Sequence, residues 1–465
     1  MRHTDSTTHL NSRLGIRHVI ILMTFAFSAV TVSAQSEPSK SFRFDFHGFV
    51  NPHFYADSRQ VVGGREEMML FYPKPEILSE TTSGYDVNDG WNMNLLSITA
   101  RLNLAVHGPD LLGAHTMAFI EGDFTGSTNA SNNDLRLRHA YLQLDWGHSR
   151  LLAGQYWHPM VVHEIMPNTR PLNMGAPFHP YARYNQLRYF GHLNKFEAIA
   201  VALFQQDNMS QGFIDDAVTS STHFQRRSAI PELHIQLRYN GERLLAGAAA
   251  NMLTMQPHIY TRPSNTVFCN NQFEWNPVDR KTFSSFSYSL FLKYRWLEWA
   301  LSFQTLLNNS LYEICSMGGY YAIIHHQPAS VASPDANIAV HYTPWHFNTV
   351  WLDFGRTKGL WRPGIFLGYG KNMEDVDNPK IYDEINPETI FLGRGNNIEY
   401  LWRVQPRIGW HPSPVFSLYA EAEYTHAQYL KKVYSDNVTT LYSYQHDNDG
   451  GVGNLRLMLS AEYRW

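Results

Sequence analysis

Residues 455–465 read Leu-Arg-Leu-Met-Leu-Ser-Ala-Glu-Tyr-Arg-Trp and end the chain on an aromatic residue. Every odd-numbered position in this stretch is apolar or aromatic, and the even-numbered positions are mostly polar or charged. Successive side chains of a β-strand point to opposite faces, so this pattern predicts a strand with one apolar and one wet face. Taken alone, the segment fits an edge strand of a soluble β-sandwich equally well. The rest of the chain decides between the two.

The N-terminus has the pattern of a secretory signal peptide. A polar stretch that contains Arg13 and Arg17 precedes an apolar run over residues 19–32, and small residues around Ala34 fit a cleavage site. That run is too short to span a bilayer, and no other segment reaches the roughly 18 apolar residues of a spanning helix. We therefore predict a cleaved signal peptide over residues 1–34 and a single domain over residues 35–465. If this domain lies in a membrane, it crosses as a barrel.

Composition narrows the function classes. Cleavage removes three of the 37 basic and one of the 41 acidic residues, which moves the net charge from −4 to −6 and argues against nucleic-acid binding. Cys269 and Cys315 fall in predicted loops at the same ends of neighbouring strands, so this placement is compatible with an envelope disulfide. Neither cysteines nor histidines show a zinc-binding spacing, and pairs such as His325-His326 are better interpreted as solvated loop residues. We expect no cofactor and no metal.

Sixteen strand-like segments follow the signal peptide. Short turns and long polar loops alternate between them, which is the asymmetry of transmembrane barrels with short periplasmic turns and long extracellular loops. No fixed-period repeat, long amphipathic helix or separate plug domain is apparent. The sequence therefore predicts an all-β fold, a 16-stranded antiparallel transmembrane β-barrel. The predicted strands are residues 42–54, 94–107, 114–124, 134–144, 151–157, 186–191, 196–204, 232–239, 244–253, 283–295, 299–307, 347–354, 363–370, 398–410, 415–425 and 452–465.

The cost of placing charges in lipid assigns the two faces of each strand. In the tenth strand, turning the aromatic residues outward sends Lys293 and Arg295 inward. The opposite register would put both cations in lipid, at up to ~2–4 kcal/mol each near the midplane. The same test places Ile98 outward on the second strand. In the fourth strand Arg138 shares a face with Leu142, which predicts a β-bulge there.

This assignment predicts a lumen lined by charges of both signs. Sixteen strands enclose a water-filled bore rather than a packed core, and cationic side chains in such a bore favour small anions. The alternative is that the charges only neutralise one another and solvate the wall. The predicted pore-lining basic residues are Arg101, Arg138, Arg188, Arg238, Lys293, Arg295, Arg403, Arg407 and Arg456, and the acidic ones are Glu121, Asp123, Glu232, Glu421 and Glu423.

The loop over residues 159–185 is the strongest candidate for a constriction. It contains five prolines, so it is stiff and cannot join the sheet. Folded into the barrel mouth, this loop would bring His163, Arg170 and Arg183 into the path of permeating solutes. The alternative is a rigid surface loop that contacts a neighbouring subunit.

Several short motifs resemble those of DcaP-like trimeric porins of Gram-negative outer membranes. They are Leu-Arg-Leu-Arg-His-Ala-Tyr-Leu at residues 135–142, the segment 151–157 with the proline-rich loop after it, Gln-Leu-Arg-Tyr at 186–189, Glu-Gly-Asp-Phe at 121–124 and Gly-Tyr-Gly-Lys-Asn at 368–372. The resemblance covers about residues 42–465. It implies sixteen strands, a homotrimer and passage of small anions such as dicarboxylates. Only residues 35–41 precede the first strand, so the coiled coil of some members is absent and the barrel wall alone would form the trimer.

Three function classes follow from these observations. The favoured class is a passive porin embedded in outer-membrane lipid and lipopolysaccharide. A last strand that ends on Trp465 resembles those of outer-membrane barrels, which implies handling by the barrel-assembly machinery. The alternatives are a surface adhesin or structural barrel and an outer-membrane hydrolase. A hydrolase needs a hydroxyl or paired acids beside a histidine at the rim, and no GxSxG or similar constellation can be singled out, so we predict that the chain is no enzyme.

Overall fold

The computed structural model describes residues 41–79, 84–170, 172, 174–206, 208–214, 217–259, 281–326, 337–374, 388–434 and 441–465. The predicted signal peptide and Cys269 lie outside these residues. Within the described ranges, no helix is long and apolar enough to span a bilayer.

Eighteen hydrogen-bonded segments form one antiparallel sheet, and because the first two strands are each interrupted once, the sheet has sixteen strands. The last strand pairs with its predecessor and with the first strand, which closes the barrel and leaves no free edge. The predicted 16-stranded barrel is therefore confirmed. The strands are β1 (Arg43–Val50 and His53–Arg59), β2 (Asp89–Leu96 and Arg101–His107), β3 (His115–Asp123), β4 (Arg136–Asp145), β5 (Ser149–Trp157), β6 (Arg183–Leu193), β7 (Phe196–Gln205), β8 (Glu232–Asn240), β9 (Leu244–Met255), β10 (Phe283–Trp296), β11 (Trp299–Leu307), β12 (Phe347–Arg356), β13 (Trp361–Asn372), β14 (Ile398–Ser413), β15 (Phe416–Tyr429) and β16 (Gly451–Arg464).

Smaller elements lie in the long loops at one end of the barrel. They are the paired strands Val61–Gly64 and Met69–Pro73, the three-stranded sheet Gln211–Ile214, Ala217–Ser220 and His258–Ile259, the three-stranded sheet Gly318–His326, Asn337–Trp345 and Glu388–Arg394, the paired strands Lys431–Tyr434 and Leu441–Gln445, the short α-helix His223–Arg227, and the 3₁₀-helices Asn129–Ser131, His163–Ile165 and Tyr312–Ile314.

The two faces of the wall follow the alternation of the sequence. In β16, Leu457, Leu459 and Tyr463 are about half exposed on the outer surface, whereas Arg456 is fully buried inside. The same phase runs through β10, where Tyr288 is exposed. A band of exposed apolar side chains around a closed barrel is the surface that lipid covers in transmembrane barrels.

One phase prediction is wrong. Ile98 was expected to face outward, but it is 2% exposed and belongs to an interior apolar cluster. The reason is the break in β2, where Ala100 N donates to Ser97 O (3.0 Å) in a turn. Because this turn shifts the alternation by one residue, Leu95 before it and Leu102 after it both face outward.

The predicted bulge in β4 is confirmed. Glu121 of β3 pairs with His139, whereas the next residue, Gly122, pairs with Leu137. Arg138 is therefore the extra residue of the bulged strand, and its side chain is turned into the barrel, where it is fully buried.

The interior is not an open bore throughout. Side chains of the long loops, among them Met68, Phe71 and Phe178, pack with the inward-facing Trp351 and Phe366 in one buried apolar cluster. Each large apolar side chain buried in this way contributes ~1.5–3 kcal/mol, which is enough to hold loops against the wall. The sequence predicted a water-filled bore without a packed core, whereas the structure has loops that fill part of the lumen.

Candidate functional site

The loop between β5 and β6, residues 158–182, starts on one side of the lumen and is called the inner loop below. At its start His158 Nε2 lies 2.8 Å from Glu232 Oε1 of β8, and both side chains are fully buried. A few residues on, Arg238 Nη1 donates to Glu164 Oε1 (2.7 Å), and Lys293 Nζ of β10 donates to the Glu164 carbonyl (2.8 Å). The first limb of the inner loop is thus fixed to β8 and β10.

Arg170 anchors the inner loop to strands on another part of the wall. Its backbone N–H donates to both carboxylate oxygens of Glu421 on β15 (2.9 and 3.0 Å), and its Nη1 donates to Glu462 Oε2 on β16 (3.0 Å). The guanidinium carbon also lies 4.0 Å from the centre of the Tyr419 ring. The chain therefore reaches β15 and β16 within a few residues of its contacts on β8 and β10.

The return limb contacts β12, β13 and β14. Arg403 Nη1 donates to the Ala176 carbonyl (2.7 Å), and Thr349 Oγ1 donates to the Phe178 carbonyl (3.1 Å). The Phe178 ring lies so close to Gly368 of β13 that a Cβ there would meet it at 2.5 Å. Contacts with seven strands show that the inner loop spans the lumen, as the sequence-based constriction hypothesis requires.

A cavity of about 40 Å³ lies beside the first limb of the inner loop. It is large enough for a few water molecules, since one needs roughly 10–15 Å³. Arg150 of β5 and Arg188 of β6 line it together with Arg238. The guanidinium carbons of Arg150 and Arg188 lie 3.9 and 5.7 Å from the centre of the same Phe190 ring, so two cations flank one aromatic side chain.

The charges around this cavity do not cancel. Arg238 is paired twice, with Glu164 at 2.7 Å and with Glu197 at 2.5 Å. Arg188 instead donates to neutral oxygens, the Trp157 carbonyl (2.6 Å) and Gln186 Oε1 (2.9 Å). Within the described part of the chain, no carboxylate oxygen lies within 4.0 Å of Arg150 or Arg188. The three arginines and the two carboxylates, Glu164 and Glu197, therefore leave a net charge of +1 beside the inner loop.

Glu164 keeps its negative charge in this position. Burial opposes ionisation of its carboxyl group, but the neighbouring Arg238 charge outweighs burial and holds the pKa of Glu164 below its usual range. A carboxylate with a lowered pKa stays ionised throughout the neutral range. The Glu164 carboxylate accordingly remains negatively charged at the edge of the cavity.

A second arginine cluster lies where the inner loop returns to β6. Arg138 bonds Glu121 through Nε and Asp123 through Nη1, each at 2.7 Å. Arg138 and Arg183 both donate to Tyr181 Oη at 3.2 Å. Burial raises the pKa of this phenol, but the two arginine charges outweigh burial and lower it to about 7. This cluster ties the end of the inner loop to β4.

The structure places most of the predicted pore-lining charges inside the barrel but under the loops. Arg407 bonds Asp353 (2.6 Å), Arg403 lies 3.1 Å from Glu423, and Arg456 lies 2.7 Å from Asp57. These residues brace loops against the wall rather than facing an open bore. Buried positions hold Arg138, Arg183, Arg188, Arg238, Arg403, Arg407, Arg456, Glu121, Asp123, Glu232, Glu421 and Glu423, half-buried positions hold Arg101, Arg170 and Lys293, and exposed positions hold His163 and Arg295.

The sequence analysis missed Arg150 and Glu164. Arg150 lies one residue before the predicted fifth strand, although it is in phase with Leu152, which also faces inward. No local sequence pattern indicates the role of Glu164, because its partner Arg238 on β8 is distant in sequence. Cys315 is buried next to the 3₁₀-helix Tyr312–Ile314, and since Cys269 lies outside the described residues, their disulfide stays a prediction. No metal-binding group of three or more His, Cys, Asp or Glu occurs among the described residues.

The backbone is similar to solved outer-membrane channels. The crystal structure of the outer membrane channel DcaP of Acinetobacter baumannii matches with a TM-score of 0.60 and 15% identity, over 93% of this chain and 100% of that one. The anion-selective porin from Comamonas acidovorans matches with a TM-score of 0.52 and 10% identity, over 91% and 100%. No protein-family model and no curated protein matches the sequence. The predicted resemblance to DcaP-like porins is therefore confirmed at the level of the fold.

Proposed function

We propose that this chain is an outer-membrane porin of a Gram-negative bacterium, a passive channel for small hydrophilic solutes with a bias toward small anions such as dicarboxylates. The observation that carries the proposal is the inner loop, which spans a closed 16-stranded barrel beside two arginines that have no carboxylate partner among the described residues. The channel part of the proposal rests on the barrel and the loop, and the anion bias rests on the arginines.

The barrel supports passage of polar solutes. Its outer surface exposes apolar side chains such as Leu457 and Leu459, while its inner surface contains polar and charged ones. In transmembrane barrels this distribution places lipid outside and water inside. A loop that folds inward narrows the bore, which restricts passage to small solutes.

The excess of positive charge around Arg150 and Arg188 supports the anion bias. Arg150 and Arg188 raise the local positive potential in a narrow part of the lumen, where water is scarce and the field of each charge is less screened. A solute anion gains attraction there, whereas a cation is repelled. Glu164 and Glu197 oppose this effect, but the three arginines Arg150, Arg188 and Arg238 outnumber the two carboxylates and leave a net charge of +1.

We extend the proposal to assembly and surroundings. The apolar outer wall would contact outer-membrane lipid and lipopolysaccharide and would join three copies as a homotrimer. The C-terminal residue is part of barrel closure, because Trp465 N donates to Gly48 O (3.1 Å) and Gly48 N donates to Trp465 O (3.3 Å). A last strand that ends in this way suits recognition by the barrel-assembly machinery, and deletion of Trp465 should lower the yield of folded barrel in the outer membrane.

Swelling of proteoliposomes tests the proposed channel. Purified protein reconstituted into vesicles should let small sugars and small carboxylates enter, with rates that fall steeply as solute size rises. Vesicles with the heat-denatured protein are the control and should not swell. If vesicles with the folded barrel swell no faster than these controls, the porin proposal is overturned.

A further inference from the structure

The contact between Glu164 and Arg238 joins a loop residue to a fixed wall residue. The Glu164 side chain is 42% exposed, whereas that of Arg238 is 7% exposed. Glu197 lies on the neighbouring strand β7, directly opposite Arg238, with Oε2 at 2.5 Å from Arg238 Nε. Glu197 therefore positions the Arg238 guanidinium, and Glu164 accepts from Nη1 of that guanidinium on the lumen side.

Of the two carboxylates on Arg238, Glu164 is the exchangeable one. Its bond is a single hydrogen bond from one Nη atom, made by a side chain that solvent reaches. Partly exposed ion pairs of this kind are weak, because water competes for both charges. The Glu197 carboxylate is buried with its strand and has no such freedom.

The surroundings of Glu164 suit another carboxylate. Arg238, Arg188 and Arg150 line the same cavity, and in the part of the chain that the structure describes only Arg238 has carboxylate partners there. An anion that takes the place of Glu164 would gain the Arg238 Nη1 donor and the attraction of two further cations. Guanidinium groups bind carboxylates through charge-assisted hydrogen bonds, which are stronger than neutral ones.

We infer that Glu164 is a tethered carboxylate that occupies the position on Arg238 which a solute carboxylate takes during passage. The inference rests on the proposed function and goes beyond it by naming the binding position and the residue that competes for it. A carboxylate-bearing solute displaces Glu164 from Arg238, binds beside Arg150 and Arg188, and is released when Glu164 returns. Glu164 thereby keeps binding weak enough for passage.

Block of ion current by succinate in planar bilayers tests this exchange. In Glu164→Gln the competing charge is gone, so the succinate concentration that halves the KCl current should fall about fivefold. In Arg238→Gln that concentration should rise about tenfold. Glu242→Gln removes an equally charged, exposed carboxylate in the short turn between β8 and β9 and should behave like the wild type. Heat-dependent mobility on gels checks that each barrel is folded.

The outcomes separate this inference from the proposed function. An unchanged or higher half-blocking concentration in Glu164→Gln overturns the inference, even where the variant conducts normally. Glu164 would then only hold the inner loop against Arg238 or itself contribute to binding succinate. Absence of current in the wild-type protein overturns the proposed channel instead. In that case calorimetric titration of the detergent-solubilised barrel with succinate still decides the binding claim, since tighter binding to Glu164→Gln than to wild type supports it and equal binding overturns it.

Discussion

Arg170 is the anchor whose loss should release the inner loop. Arg170→Gln removes the bond from Nη1 to Glu462 Oε2 (3.0 Å) and the stacking over Tyr419 (4.0 Å), while the backbone bonds to Glu421 remain. A hydrogen bond between charged groups contributes ~1.5–3 kcal/mol and a cation–π contact ~0.5–2 kcal/mol. The variant should therefore favour the released loop by about 2 kcal/mol or more, which is at least about thirtyfold in the balance between docked and released states.

Single-channel recording measures this release. Arg170→Gln should show frequent steps to a higher conductance and more current noise than the wild type, because the loop leaves the lumen for part of the time. Arg227→Gln is the matched control, since it removes an exposed arginine from the helix His223–Arg227 at the long-loop end. If Arg170→Gln folds, as circular dichroism would show, and yet conducts like the wild type and Arg227→Gln, then the inner loop does not narrow the channel and the reasoning fails.

Three further predictions concern the cavity, the loop and its packing. Removal of one positive charge, in Arg188→Gln or Arg150→Gln, should lower the ratio of chloride to potassium permeability severalfold, because a unit charge about 5 Å from a permeating ion in water contributes ~1 kcal/mol. An unchanged ratio would show that these residues do not determine the selectivity. Gly368→Leu should push the Phe178 ring and displace the return limb. Faster chymotryptic cleavage after Phe178 or Tyr181 would report this displacement, and a wild-type cleavage rate would argue that the ring lies elsewhere. Burial raises the pKa of Glu313, which lies in the long loop after β11, from 4.5 to about 8. This loop therefore holds a proton when it is packed and loses it when it is unpacked. Its packing should weaken as the pH rises from about 5 to 8, by up to ~1.4 kcal/mol per pH unit. Hydrogen exchange of residues 308–322 at pH 6 and pH 9 measures this, and Glu313→Gln should abolish the difference; a difference that persists in the variant contradicts the assignment.

The barrel itself could be predicted because its rules are local. In β16 the alternation alone separates Leu457 and Tyr463 from Arg456, and the cost of a charge in lipid fixes which face is inside. The inward orientation of Ile98 could not be predicted in this way. A turn of a few residues within β2 reverses the phase, and no residue type in the sequence marks that turn.

The contents of the lumen could be predicted only in part. The prolines indicate a stiff inner loop, but its partners on eight strands depend on distances across the barrel that no spacing in the sequence encodes. The first long loop shows the same limit. Arg65, Glu66 and Glu67 all have positive φ, a conformation that is rare for such residues, and Arg456 Nη2 holds this turn by donating to Glu67 O (2.7 Å).

The reversal potential of the purified protein in a planar bilayer, under a tenfold KCl gradient, tests the central claim most directly. The account predicts stepwise ion current and a reversal potential on the chloride side of zero, because the proposed function places the net positive charge around Arg150, Arg188 and Arg238 in the path of permeating ions. A reversal potential on the potassium side would contradict the anion bias, and absence of current from folded protein would contradict the channel itself.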